Sequence, residues 1–246
     1  MDTENGMRNR LKENGLDAPF MTMGYLISGV IVLVFIAFFH NFSGIGWALL
    51  WGLMLIAAGL ISLHTSLYGK AAIWDRIIAD LNIKSDSQVL DLGTGHGLTL
   101  IKFAKQLGSN GGATGIDLWH SRDQLDNGNK QTEANVKNAN LKCFTNILTG
   151  DIRSLPFEDK SFDFVTSSFV IHNIKSKEER YKAISEAYRV LKQGGTLVIV
   201  DTEHKQREYT EVLNDLGAQV VAKKLGFNGW WSGPWMPSYE VRVRKT

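Results

Sequence analysis

The sequence predicts an α/β domain joined to a pair of membrane-spanning helices, on three observations. Gln88-Val-Leu-Asp-Leu-Gly-Thr-Gly-His-Gly-Leu98 is a short apolar run that ends in an acid, breaks into alternating glycines and opens a helical pattern. That is the form of a buried strand, a tight turn and a helix start. Strand-like runs then alternate with helix-length stretches as far as about residue 201,. Finally, no Lys, Arg, Asp or Glu occurs from Ala18 through Gly69. A chain of 246 residues has room for one ordinary α/β domain and a smaller additional unit,.

Within the charge-free stretch, Phe20 to Phe39 and Gly46 to Leu63 are nearly all apolar. At about 1.5 Å rise per residue each spans roughly the 30 Å of a hydrocarbon core. His40-Asn-Phe-Ser-Gly-Ile-Gly46 supplies the turn between them. A cleaved signal peptide would have a shorter apolar core and no second span. A hairpin buried in a soluble domain would show a polar face, and neither segment has one. Arg8, Arg10 and Lys12 precede the first span, Lys70 and Arg76 follow the second, and the turn has no basic residue. The positive-inside rule therefore places both ends, and the domain behind them, in the cytoplasm. Gly52 and Gly59 share one face of the second helix and Gly24 and Gly29 lie on the first, so the two helices are expected to pack closely,.

The expected organisation is an N-terminal segment 1–19, a hairpin 20–65, an amphipathic connecting helix 66–83 and an α/β domain 84–246. In the connecting helix Ala72, Ile73, Ile77, Ile78 and Leu81 recur at helical spacing,, and it can continue the second span without a break. Strands are expected at Gln88–Leu92, Ala113–Asp117, Phe144–Leu148, Phe164–Ser168 and Thr196–Asp201. Helices are expected at Leu98–Leu107, Lys130–Asn138 and Lys177–Leu191, and Lys192-Gln-Gly-Gly195 forms a turn. Ala218–Gly226 and Tyr239–Arg244 form a closing hairpin. The net charge of 27 − 25 = +2 implies no strong field for nucleic acid,. One cysteine, Cys143, excludes an internal disulfide, and no cluster has metal-ligand spacing, so no metal is expected,.

The glycine turn brings backbone close to a ligand, and free N–H groups at a helix start favour an anionic group. A dinucleotide fingerprint would place its third glycine at position 98, where this chain has Leu98,. Asp91 followed by Gly93, Thr94, Gly95 and Gly97 instead resembles the first motif of the class I S-adenosylmethionine (SAM) methyltransferases. Gly150-Asp151-Ile152 resembles their adenine-binding acid motif, Leu155-Pro-Phe…Phe162-Asp163 their run into the fourth strand, and Arg189-Val-Leu-Lys-Gln-Gly-Gly195 their Arg-Val-Leu-Lys-Pro-Gly-Gly signature, with Gln193 in place of proline. The resemblance covers about 84–203. It implies a Rossmann-like, mostly parallel seven-stranded sheet in order 3-2-1-4-5-7-6, with helices on both faces and the ligand outside the carboxyl ends of the strands.

It also implies roles. Gly93, Thr94, Gly95 and Gly97 receive the methionine portion of SAM, and Asp91 reaches its amino group directly or through water. Asp117 holds the ribose diol, a device shared with nicotinamide enzymes. Leu118 and Trp119 follow, where either packs on the adenine; ordinary loop packing is the alternative for Trp119. Asp151, with Ile152, takes the adenine amino group, and Ser167 sits beside the cofactor at the end of the fourth strand. His172 and Asn173 occupy the place where family members face the substrate. His172 either removes a proton from the acceptor or only orients it. His96 reads as lining of the methionine pocket. The polar loop 120–129 is either a cover for the ligand or a solvated loop. Tyr68 caps the site or anchors at the membrane interface, and Trp230, Trp231 and Trp235 form an aromatic wall, rest at lipid headgroups or simply pack.

The function implied is a membrane-anchored methyltransferase that passes the methyl of SAM to a small, bilayer-partitioning acceptor by in-line displacement, with S-adenosyl-L-homocysteine as product. Aligning nucleophile and methyl in a water-poor site supplies much of the rate of such a displacement. A SAM-binding membrane sensor or scaffold without turnover is the alternative. The acceptor and the oligomeric state are not legible.

Overall fold

Alternation along the strands decides the layers. The computed structural model describes residues 2–39, 41–120 and 128–246, so His40 and most of the polar loop 120–129 lie outside the described residues. In β1 (Gln88–Leu92), Val89 is buried on one face while Leu90 and Leu92 are buried on the other, as a period of two requires. In β5 (Leu191–Asp201), Val198 and Val200 share the face of Val89, and Leu197 and Ile199 share the opposite one. Both faces are covered, as parallel sheets demand.

The sheet has seven strands in the order β3-β2-β1-β4-β5-β7-β6, as expected. β2 (Gly112–Asp117), β3 (Phe144–Thr149) and β4 (Phe162–Ser168) complete the parallel part. β7 (Tyr239–Arg244) runs antiparallel to both β5 and β6 (Gln219–Lys224). Asp91 lies opposite Gly115 on one side and Thr166 on the other.

The apolar stretch folds as α2 (Pro19–Phe38) and α3 (Ile45–His64), paired as a hairpin below an N-terminal α1 (Asp2–Asn14). The chain leaves α3 through a π-helical turn, Thr65–Gly69, and runs on as α4 (Lys70–Ala79). Two helical stretches, Pro19–Phe38 and Ile45–Ala79, are long and apolar enough to cross a membrane, and only 11% and 22% of their most apolar windows are buried. A core helix of a soluble domain would be mostly buried; here Phe20, Ile31, Trp47 and Trp51 are exposed. The glycines act as read from the sequence, with one exception. A Cβ on Gly29 or Gly59 would come within 2.6 Å of Ile56 or Leu26, and one on Gly52 within 3.0 Å of Val32, but Gly24 meets nothing. Inside this apolar contact the hydroxyls of Thr22 and Ser62 hydrogen-bond at 2.6 Å.

α4 carries the hairpin onto the sheet. Ile73, Trp74 and Ile77 are buried with Leu100 and Phe103 of α5 (Leu98–Ala104), and Val136 of α6 (Asn129–Asn138) packs on the same cluster. Trp74 is fully buried, stands edge-on to Phe103, and its indole N–H donates to Ser168 Oγ at 2.9 Å. The other face is covered by α7 (Lys177–Val190) and α8 (Gln206–Asp215).

Some expectations need correction. The turn expected at 192–195 is absorbed into β5: Phe162 pairs with Leu191 and Phe164 with Thr196, so Lys192–Gly195 bulges out of a ladder that has already begun. α5 ends at Ala104, short of Leu107, and β6 is shorter than 218–226 at both ends. α1 and α8 were not expected.

Trp74→Ala should destabilise the protein by about 3–5 kcal/mol, because it opens a large cavity and removes the hydrogen bond to Ser168,. Trp235→Ala, at an exposed ring, should stay within about 0.5 kcal/mol. Denaturant unfolding of the detergent-solubilised chain checks both.

Candidate functional site

The glycine turn is built by positive backbone angles. Gly93 (φ 68°), Gly95 (φ 49°) and Gly97 (φ 87°) are left-handed, the conformation glycine adopts without penalty. Gly93 also has no room for a side chain, since a Cβ there would meet Val170 at 2.3 Å. The amides of Gly93 and Thr94 donate to Ile116 O, which ties the turn to β2. From below, Thr132 Oγ1 donates to Gly95 O at 2.5 Å, and Asn135 Nδ2 donates to His96 O at 2.9 Å and to Lys12 O at 2.8 Å.

A cavity of about 80 Å³ lies over the turn, walled by Gly93, Thr94, Gly95, His96, Asp117 and Asn173, together with Asn14, Asp17 and Lys70. Asp117 accepts from the Gly95 amide at 2.8 Å with one oxygen and from the Trp119 amide at 2.7 Å with the other. Each carboxylate oxygen has two lone pairs, so the carboxylate keeps acceptor capacity for a diol. His96 is buried, with Nδ1 at 2.9 Å from Lys12 O, a wall residue as expected.

The other acids do not reach this cavity. Asp91 is fully buried and does not line the cavity; its oxygens accept from Thr94 Oγ1 at 2.9 Å and Thr166 Oγ1 at 2.7 Å. Burial pushes its carboxyl up to about 7, against the lowering by the two hydroxyls. Asp151 sits just beyond β3, gripped by Arg153, whose Nε lies 2.9 Å from both oxygens; this pairing holds its carboxyl below the usual range. Ile152 belongs to the hydrophobic core, and Ser167 is buried at the end of β4. Leu118 is exposed, and Trp119 (φ 61°) spans two strand ends through its indole N–H to Thr149 Oγ1 at 2.8 Å.

A second cavity of about 130 Å³ adjoins the first through Asp17, Phe169 and Asn173, which line both. Its other walls include His172, Trp231, Met236, and Ala18 and Met21 at the foot of the hairpin. His172 Nδ1 is 2.5 Å from Asp201 Oδ1. Asp201, buried at the end of β5, also accepts from the amides of His172 and Thr202 and from Tyr209 Oη at 3.0 Å. A carboxylate only accepts, so Nδ1 carries the proton and Nε2 is left as the basic atom. Burial opposes protonation of His172, but Asp201 and, more weakly, Glu203 outweigh it and raise its pKa above the ordinary value. Asp201 carries the same sequence signal as Asp91 and Asp117, an acid at a strand's carboxyl end.

The aromatic loop divides. Trp231 stands edge-on to Phe169 with ring centroids 5.0 Å apart and walls the second cavity. The Trp230 carbonyl accepts from Thr65, and Trp235 is exposed. Tyr68 packs under the Arg10 guanidinium, 4.4 Å from the ring centroid.

Residues 90–199 match the methyltransferase domain family. It is 36% identical over 127 residues to a demethylmenaquinone methyltransferase of Staphylococcus aureus, across 52% of this chain and 48% of that one. It is 34% identical over 159 residues to the ubiquinone/menaquinone biosynthesis C-methyltransferase UbiE of a Ruegeria species, across 64% of this chain and 60% of that one. The chain thus spans about half to three fifths of the length of these relatives. A SAM-dependent methyltransferase from Aquifex aeolicus shares the fold, with a TM-score of 0.56 at 21% identity over 70% of this chain and 89% of that one. The described residues would fit SAM: Gly93, which has no room for a side chain, lies in a glycine turn beside Asp117, whose carboxylate keeps acceptor capacity for a diol.

Asp117→Ala is expected to weaken binding of S-adenosylhomocysteine by about ten- to a hundredfold, the loss of charge-assisted bonds to a ribose. Equilibrium dialysis checks this.

Proposed function

We propose that the protein is a membrane-anchored SAM-dependent methyltransferase whose acceptor is a lipophilic phenol or hydroquinone. One observation carries the reading: the cavity over the glycine turn shares Asp17, Phe169 and Asn173 as walls with a second cavity, which is also lined by Ala18 and Met21 at the foot of the exposed apolar hairpin. An acceptor that partitions into lipid would arrive there without crossing water. The names of the quinone-biosynthesis relatives support that acceptor class. The unburied apolar faces of α2 and α3 support the bilayer, and the basic residues at both hairpin ends support a cytoplasmic domain,.

SAM, when bound, supplies an electrophilic methyl on a sulfonium leaving group. The chain supplies the rest. Asp201 fixes the tautomer of His172, and Nε2 would take the proton of the acceptor hydroxyl, so that electron density reaches the ring carbon that attacks; that carbon then loses its hydrogen as a proton and the oxygen takes one back from His172, which restores the aromatic ring. Asn173, at the wall common to both cavities, orients the acceptor. Phe169, Trp231 and Met236 exclude water around the developing bond,. Asp151, just beyond the end of β3 and so beside the β2 end that carries Asp117, would take the adenine amino group. A buried, hydrogen-bonded acid behind the histidine favours turnover over a passive sensor, which would not need it.

In lipid nanodiscs with methyl-labelled SAM, a prenylated hydroquinone lacking a ring methyl should acquire the label, identified by mass spectrometry. No labelled product from such an acceptor would sink the reading. His172→Asn should lower kcat by at least about a hundredfold. Because the base must be unprotonated, kcat should rise with pH, and the raised pKa of His172 puts that rise above 6.5. Asp201→Asn removes the raising charge and leaves burial in control, so the rise should move below 6.5 while kcat falls,.

A further inference from the structure

The two ends of the helical hairpin meet inside the cofactor cavity. Asp17, just before α2, and Lys70, just after the π turn, form an ion pair at 2.5 Å, with side chains only 15% and 5% exposed. Ser66 completes the cluster: its Oγ accepts from the Asp17 amide at 2.7 Å and donates to Asp17 Oδ2 at 3.2 Å. Both charged residues line the cavity with Gly93, Thr94 and Gly95, the turn to which the motif assigns the methionine portion of SAM.

A buried ion pair is a poor source of stability, because desolvating two charges offsets their attraction. The fold alone therefore gives little reason to keep this one. Its chemistry matches something else at that position. The methionine end of SAM is a zwitterion, with one ammonium and one carboxylate. Asp91, to which the motif assigns the ammonium, does not line the cavity, and both its oxygens accept from threonines.

We propose that Asp17 and Lys70 are the receptor for the amino-acid end of SAM, Asp17 taking the ammonium and Lys70 the carboxylate. The pair opens as the zwitterion enters, and two internal partners are exchanged for two ligand partners. Asp17 and Lys70 each face an opposite charge before and after the exchange. A ligand without the amino-acid end leaves the pair closed. On this assignment the hairpin is part of the cofactor site as well as an anchor, since each of its ends contributes a ligand-binding side chain. The inference rests on SAM being the cofactor, and not on the identity of the acceptor.

Isothermal titration of the full chain with S-adenosylhomocysteine and with 5′-methylthioadenosine, which keeps the nucleoside thioether and lacks the amino acid, tests it. The double variant Asp17→Asn, Lys70→Met removes both charges of the pair together. It should bind S-adenosylhomocysteine at least about tenfold more weakly while its affinity for methylthioadenosine stays unchanged, which also reports an intact fold. Unaltered homocysteine-ligand affinity, or a parallel fall for both ligands, would overturn the proposal. Wild-type protein that bound neither ligand would overturn the cofactor assignment and this proposal with it.

Discussion

Trp74 is where the hairpin and the sheet become one body. The helical path from Ile45 to Ala79 is unbroken. Its first part is apolar all round, and its last part has one apolar face fitted to β1 and α5. The π turn between them is wound wider than an α-helix and so resets the phase of the side chains. That reset brings Ile73, Trp74 and Ile77 to the sheet. Gly69, at the end of the turn, allows the closest approach: a Cβ there would fall 2.2 Å from the carbonyl oxygen of Asn228. The loop that carries Trp231 is therefore seated directly on the hairpin's foot.

From that junction the site follows. Parallel strands put Asp117 and Asp201 at the same edge of the sheet, one at the cofactor cavity and one behind His172. The crevice between them is closed on the open side by residues that precede and follow the hairpin. Polar groups are supplied by strand ends and apolar walls by Phe169, Trp231 and Met21, a division suited to joining a charged cofactor to an oily acceptor.

What the sequence made legible was whatever local pattern determines. The strand Gln88–Leu92, its glycine turn and the paired apolar helices follow from periodicity and from backbone chemistry confined to a few residues. The strand order came through the family resemblance, because no local signal encodes which strands pair. α1 was missed because it has no continuous apolar face; it is held by its carboxyl end, where the Lys12 carbonyl receives His96 and Asn135. The expected convergence of three acids was a statement about side-chain direction, which spacing does not fix. Asp91 turned inward to two threonine hydroxyls, and Asp151 met an arginine two residues along. The meeting of Asp17 with Lys70, 53 positions apart, depends on the hairpin's exact closure.

That closure has a locating pin. Thr22 and Ser62, both fully buried between the two helices, share a hydrogen bond. Rolling or sliding one helix along the other would break it, at a cost of about 0.5–1.5 kcal/mol. Five residues before Thr22 and eight after Ser62, the chain delivers a carboxylate and an ammonium to the same spot, so a bond between two small side chains helps to align the cavity beyond it.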